Sequence, residues 1–239
     1  MKKQARSLAV TAALLGGAVT RTAQEEIARM VINEGGLGET LIYPFYSANG
    51  GNDTQIHIVN TTDRVKAVKV RFIESQNSDE VLDFNLYLSP QDEWAAVITS
   101  TEAGGAAVRT VDNSCTVPAL TEIDVLANGD VLREQAFVTF EYTEGATPDT
   151  FDSGISRTTE GYVEMIEMGQ WDPLEGIGAN AVHTAAGVPA DCDALVAAWT
   201  SPVIVVEEAG EEDVYTQGAW IEDSAYQQDP VWTGGGLYG

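Results

Sequence analysis

Positive charge is what this chain most conspicuously lacks. Its 239 residues hold 12 Lys and Arg against 37 Asp and Glu, a formal net charge of −25. Four of the basic residues fall in the first 24 positions, which carry no acid, so residues 25–239 hold 8 against 37 and a net charge of −29. No basic residue follows Arg157, whereas fifteen acids do. Such a surface repels phosphate backbones, so nucleic acid is excluded as a partner. Anionic membrane surfaces are disfavoured for the same reason. The acidity keeps an exported protein soluble. It suits a saline medium, where screening shortens to about 8 Å or less, and it is compatible with Ca2+.

Histidine and cysteine are scarce, with two of each. There is no C-x-x-C, no H-E-x-x-H, no phosphate-binding G-x-x-x-x-G-K-[ST] and no EF-hand loop. "DSGIS" at 152–156 does not match the G-x-S-x-G nucleophile elbow. His57 lies on the polar face of an alternating run and His183 in the loop "ANAVHTAAG". Each reads as an ordinary surface or loop residue, and no catalytic residue is assigned. The members of a Ser-His-Asp site need not be adjacent, which keeps a secreted hydrolase as the third functional reading. With 37 acids, a glycosidase-type carboxylate pair is arithmetic rather than information.

Long apolar runs are missing too. Residues 8–19 form a small, apolar run of twelve, too short to cross about 30 Å of hydrocarbon as a helix. Lys2, Lys3 and Arg6 precede it and small residues follow, the order of a bacterial secretory signal peptide. Residues 1–24 are therefore expected to be removed. Cleavage could fall after Gly16-Gly17-Ala18 or within 20–23, where Arg21 spoils a clean A-x-A. The mature chain is expected to be secreted, with no membrane span, and to reside outside the cell or on its surface. In an exported chain, two cysteines suggest one disulfide, Cys115 to Cys192. Two buried thiols are the alternative.

What the chain does have is alternation. Residues 40–47 are rich in β-formers, but Pro44 confines them to an edge or a bulge. Residues 54–59, 65–73, 81–88 and 94–99 each set apolar side chains on one face against polar ones, with turn residues between. That pattern predicts antiparallel sheets with one wet face, hence a sandwich or barrel. Strands are also expected over 106–111, 137–143 and 161–168, with short ones at 130–133 and 203–206. Residues 191–199 predict the one good helix of the second half, capped by Asp191 and carrying Cys192 in its first turn. The charge run 207–213 reads as a solvated loop.

Before the first strand, residues 25–36 form a separate segment. Residues 24–33 fit a short helix stopped by Gly35-Gly36, and equally an extended arm. Ile27, Met30, Val31 and Ile32 make it too apolar for a solvated tail, so it is a candidate assembly arm. Residues 37–239 would be the sandwich domain with a C-terminal extension. "EGGLGETLIYPF" near the start is echoed by "TGGGLYG" at the end. The echo reads either as the front portion of a longer protein or as a flexible Gly-rich tail.

"SANGGNDT" (47–54) and "TPDTFDSG" (147–154) mix Asn, Asp, Ser and Gly as Ca2+-binding loops do. Turns use the same residues for their own backbone. No cofactor is implied; calcium is a candidate ligand, with no metal-binding residue assigned. Trp94 and Trp199 sit in apolar-periodic runs and read as core. Trp220, Tyr226 and Trp232 sit in acid-rich sequence and are better candidates for an interface or a glycan platform.

The stretch "GETLIYPFYSANGGNDTQIHIVNTTDRVKAVKVRFIESQNSDEVLDFNLYLSPQDEWAAVI" (38–98) resembles the opening module of uncharacterised exported surface proteins of Gram-negative bacteria. It is also similar to bacterial immunoglobulin-like sandwich modules, through "T-x-I-x-I-x-N-x-T", a long alternating strand and a hairpin. It covers about a quarter of the chain. The resemblance implies a mainly β, antiparallel immunoglobulin-like β-sandwich and a cell-surface location, and no catalytic residue. The second half departs from a minimal seven-stranded sandwich, with a short helix and long loops. The leading functional expectation is a non-enzymatic structural protein, a filament or pilus-like subunit or adhesive module that self-associates. The alternative is a carbohydrate- or calcium-binding module of a larger secreted protein.

Overall fold

The computed structural model of the chain describes residues 32–144, 151–198 and 235–239 in full, and residues 199–200, 203–208 and 211–216 by their backbone alone. Its strands are β1 (Thr40–Ser47), β2 (Thr54–Asn60), β3 (Val65–Glu74), β4 (Glu80–Leu88), β5 (Glu93–Ser100), β6 (Ala106–Thr110), β7 (Thr116–Val117), β8 (Thr121–Val125), β9 (Val131–Ala136), β10 (Glu160–Trp171), β11 (Val203–Glu208), β12 (Glu211–Thr216) and β13 (Leu237–Tyr238). Three short helices join them: α1 (Phe140–Thr143), α2 (Gly176–Ala181) and α3 (Cys192–Thr200), with a 3-10 turn over Ile155–Thr159. The sandwich lies within one unit, Asn33–Gly239.

Two antiparallel sheets pack face to face. One runs β1-β10-β3-β4-β7 and the other β13-β2-β5-β6-β9-β8. The expected β-sandwich is thus what the chain forms. The alternation explains it residue by residue. Val68, Val70 and Phe72 of β3 stand in register with Leu86, Phe84 and Leu82 of β4 and point inward. From the other sheet, Ile56, Ile58, Trp94 and Ile98 meet them. Tyr46, Phe72, Phe84, Trp94 and Phe137 form a connected set of ring contacts at centroid distances of 4.9–6.4 Å. Each such side chain, fully buried, contributes roughly 1.5–3 kcal/mol by leaving water.

The outer face of the first sheet is divided in two. At one end Val65, Ala67, Tyr87 and Trp171 lie under α2 and α3, with Ile177, Ala181 and Leu195 packed on them as a second core. At the other end the outward positions are charged. Lys69 pairs with Asp83, and Arg71 with Glu80 and Glu164. β3 therefore has three environments on two faces.

Several expectations change. Residues 137–143 were expected as a strand. Phe137 and Val138 do bond to strand backbones at Ala106 and Val81, but the chain then turns into α1, which sets the Tyr142 ring against the Arg157 guanidinium, 4.3 Å from the ring centroid. Most of the charge run 207–213 is strand rather than solvated loop: its described residues belong to β11 and β12, which pair antiparallel with Glu207 opposite Glu212. The expected helix is present as α3, and α1 and α2 are short additions of four and six residues. Residues 235–239 are not a loose tail. Leu237 is fully buried, pairs with Asn60, and exchanges both backbone bonds with Gly38. The two echoing Gly-rich segments thus meet in the fold. Pro44 behaves as read: β1 is an edge strand, and its register shifts between Tyr43 and Tyr46.

Candidate functional site

Cys115 and Cys192 are joined, with Cα atoms 5.3 Å apart. The bridge ties the segment entering β7 to the first residue of α3, so the helical cover is pinned covalently to the first sheet. Closing a 77-residue span stabilises by about 4–5 kcal/mol on the chain-entropy account. Asp191 caps α3 through a 2.9 Å bond from the Ala194 N–H.

His183 does not sit as an ordinary loop residue. It follows α2 and faces the β4–β5 turn and the segment before β7. Its Nδ1 lies 2.7 Å from Ser89 Oγ and 3.5 Å from Asp92 Oδ2, and its Nε2 lies 2.8 Å from Asn113 Oδ1. Ser89 Oγ also donates to the Ala181 carbonyl at 2.9 Å and accepts from the His183 N–H at 3.0 Å. Burial pushes the Asp92 carboxyl above its ordinary value. The Ser89 N–H and His183 oppose that shift, Asp112 adds to it, and the Glu93 N–H opposes it. The serine, histidine and aspartate are not arranged as a proton relay. Ser89 and Asp92 face the same ring nitrogen, the serine proton is spent on a carbonyl, and Ser89 is buried. His57 sits on β2 opposite Ala95, and its carbonyl accepts from the Tyr43 hydroxyl. Burial pushes that hydroxyl up to about 12.

Two buried ion pairs bracket the inner face of β3. At its start Lys66 Nζ donates to Glu167 at 2.6 Å, and to Gln170 and the Gly235 carbonyl at 2.9 Å each. Glu167 accepts in turn from the Gly235 N–H. At its end Glu74 accepts from Arg157 Nε and Nη2 at 2.8 and 2.9 Å, and from the backbone N–H groups of Gln76, Asn77 and Asp79. Burial pushes the Glu74 carboxyl up, but Arg157 and the three N–H donors outweigh it and hold the carboxyl down at about 2.

All seven described Lys and Arg residues have a carboxylate partner. Among the described residues, no group of three or more His, Cys, Asp or Glu could hold a metal ion, and no helix is long and apolar enough to cross a membrane. The loop 47–54 spends its polar groups on its own turn: the Thr54 hydroxyl accepts from the Ser47 N–H and donates to the Ser47 carbonyl, the Ser47 hydroxyl accepts from the Asn49 N–H, and Asn52 donates to the Asn49 carbonyl.

The open surfaces are strand edges. β1 and β8 are edge strands of different sheets. β1 exposes Ile42 and Phe45, 59% and 61% accessible. β8 is exposed along its whole length, Ile123 and Val125 included. Of the proposed assembly residues, Ile32 is exposed, whereas Ile27, Met30 and Val31 lie outside the described residues. So do the expected signal peptide, residues 147–150 of the second candidate calcium loop, the side chain of Trp199, and Trp220, Tyr226 and Trp232. Trp94 is core, as read. Neither a protein-family model, nor a curated protein, nor a solved structure matches this chain.

Proposed function

We propose that the protein is a non-enzymatic, secreted or cell-surface structural subunit of a Gram-negative bacterium that associates with copies of itself through strand edges and the segment 25–33. The observation that supports this most is the pair of apolar edges. β1 and β8 present open backbone beside Ile42, Phe45, Ile123 and Val125, the arrangement that accepts an added strand. The arm would supply that strand, burying Ile27, Met30, Val31 and Ile32. The disulfide and the basic, apolar opening of the chain support export. Because every described cation is already paired, what one copy shows another is largely acid, and salt or Ca2+ should promote association.

Size-exclusion chromatography and negative-stain microscopy of the processed chain test the reading. Oligomers or filaments are expected as ionic strength rises from about 0.01 M to about 1 M, which cuts the screening length from about 30 Å to 3 Å. Deleting residues 25–33 should leave a folded monomer. A parent that stays monomeric in high salt and in Ca2+, but shifts on binding a glycan or Ca2+, would favour a carbohydrate- or calcium-binding module instead.

A further inference from the structure

His183 is held between Ser89 on one side and Asn113 on the other. Ser89 Oγ has one proton. The Ala181 carbonyl, 2.9 Å away, can only accept, so that proton is directed there. His183 Nδ1, 2.7 Å from the same oxygen, must then donate. On the other side Asn113 Nδ2 donates to the Gly187 carbonyl at 2.8 Å, which turns Asn113 Oδ1 toward His183 Nε2, also 2.8 Å away. That nitrogen must donate as well. Both ring nitrogens therefore face acceptors, and only the doubly protonated ring satisfies them. Removing one proton orphans a group whichever way the neighbours turn. If Ser89 swings its proton to the ring, the Ala181 carbonyl is left bare. If Asn113 flips, the Gly187 carbonyl faces another oxygen.

We propose that the segment joining α2 to α3, residues 182–191, is a pH-sensitive latch, closed on the sandwich while His183 carries both protons and released when it loses one. The charged groups facing the ring fit this. From the β4–β5 turn, Asp92 stands 3.5 Å from Nδ1, and its oxygen is shared with the Ser89 N–H and the Ser114 hydroxyl. From the segment before β7, Asp112 adds negative charge beside Asp92. On the latch itself, Asp191 is committed to capping α3. No Lys or Arg is among these groups. The charged ring thus has Asp92 as its counter-ion, and the neutral ring leaves that carboxylate with only its Ser89, Ser114 and Glu93 donors. Arg133, which reaches Asp112, donates to its carbonyl at 3.1 Å. The latch backbone closes through Ala190 N–H to Val182, Asp191 N–H to Asn180 and Thr184 N–H to Val188. The disulfide at Cys192 keeps α3 in place when the latch opens, so release is local.

The test uses the whole processed chain with its disulfide intact and histidine labelled with nitrogen-15. His57→Gln identifies the single remaining ring signal as His183. Ring spectra and amide exchange, corrected for intrinsic rates, are followed from about pH 5 to about pH 9, the range that spans histidine titration. Loss of one ring proton should coincide with a roughly ten- to hundredfold fall in protection at Thr184, Ala190 and Asp191, the fold-change expected when a hydrogen bond to a charged group is lost. His183→Gln should show the low protection throughout, with no step. A ring that loses a proton while those amides stay fully protected would overturn the proposal, and so would a step that persists in His183→Gln. Should the variant fail to fold, the parent's two titrations decide alone.

Discussion

The two ends of β3 solve one problem in different ways. Each places a charge on the inner face of the strand, in line with Val68, Val70 and Phe72. Lys66 is 1% exposed and Glu74 is fully buried. Burying a lone charge costs several kcal/mol, so each must be paired and its remaining hydrogen-bonding capacity filled. At the Lys66 end the ammonium's three donors go to β10 and to the Gly235 carbonyl, 169 positions away. At the Glu74 end the carboxylate organises its own hairpin turn through three N–H groups before it meets Arg157. One pair anchors a distant segment. The other rigidifies a local turn and anchors the 3-10 turn upon it. Charge here specifies where segments dock; apolar packing between the two ends supplies the bulk of the stabilisation.

Substitutions at the two ends separate these roles. Arg157→Met should have the largest effect, since it leaves Glu74 buried without its cation and removes the contact over Tyr142. A loss of about 3–5 kcal/mol is expected, read as a fall in denaturation midpoint with the disulfide intact. Lys66→Met should cost less, about 3 kcal/mol, because Glu167 keeps the Gly235 N–H. Its signature should be lost amide protection at Leu237, with Gln76, Asn77 and Asp79 unchanged. Equal loss at both ends would mean that the pairs do not act locally.

Glycines beside the two pairs sharpen the contrast. Gly161 stands opposite Glu74, and a Cβ there would meet the Ile73 carbonyl oxygen at 1.9 Å. Gly161→Ala must therefore push β10 off β3, at about 1–3 kcal/mol. Gly235, at the Lys66 end, has φ +101° but open space around it. Gly235→Ala should cost about 1 kcal/mol from backbone conformation alone. Thermal denaturation of the two variants should rank them in that order.

Acid perturbs the Glu74 end without any substitution. Glu74 is held down at about 2 from an ordinary 4.5. A depressed carboxylate contributes stability that is complete above its unfolded value and is lost as pH falls through its folded one. Between about pH 4.5 and about pH 2, Glu74 should thus add a slope of at most about 1.4 kcal/mol per pH unit. Glu74→Gln should flatten that slope. An unchanged slope in the variant would assign the acid sensitivity to other carboxylates.

Period-two alternation made the sandwich legible, because "TQIHIVN" and most of "VKAVKVRF" set one apolar face against a polar one. It did not show that Val65 and Ala67, on the outer face, would be buried under α2 and α3. Pro44 declared an edge, Asp191 a helix start, and an even cysteine count a bridge. All three are local or arithmetical signals, and each matches the structure. The site residues were harder to read. His183 acquires its setting from Ser89 and Asn113, 94 and 70 positions away, and nothing in "ANAVHTAAG" announces them. Arg157 stands out in the sequence only as the last basic residue, yet it is buried against Glu74 across 83 positions.

The sequence by itself determined the alternating strands, the disulfide partners, the overwhelming acidity and the two Gly-rich echoes, because period, count and charge are properties of a chain before it folds. Only the tertiary structure decided that Lys66 and Glu74, both at inward positions of one strand, would be buried rather than left at its wet ends. It also decided that residues 137–143 would leave the sheet and turn into α1, and that Leu237 would return to β2 and meet Gly38. The physical reason is the same in each case. A buried charge, a bare strand edge or an aromatic beside a guanidinium is satisfied by whatever the fold brings near, and sequence distance does not enter that energy.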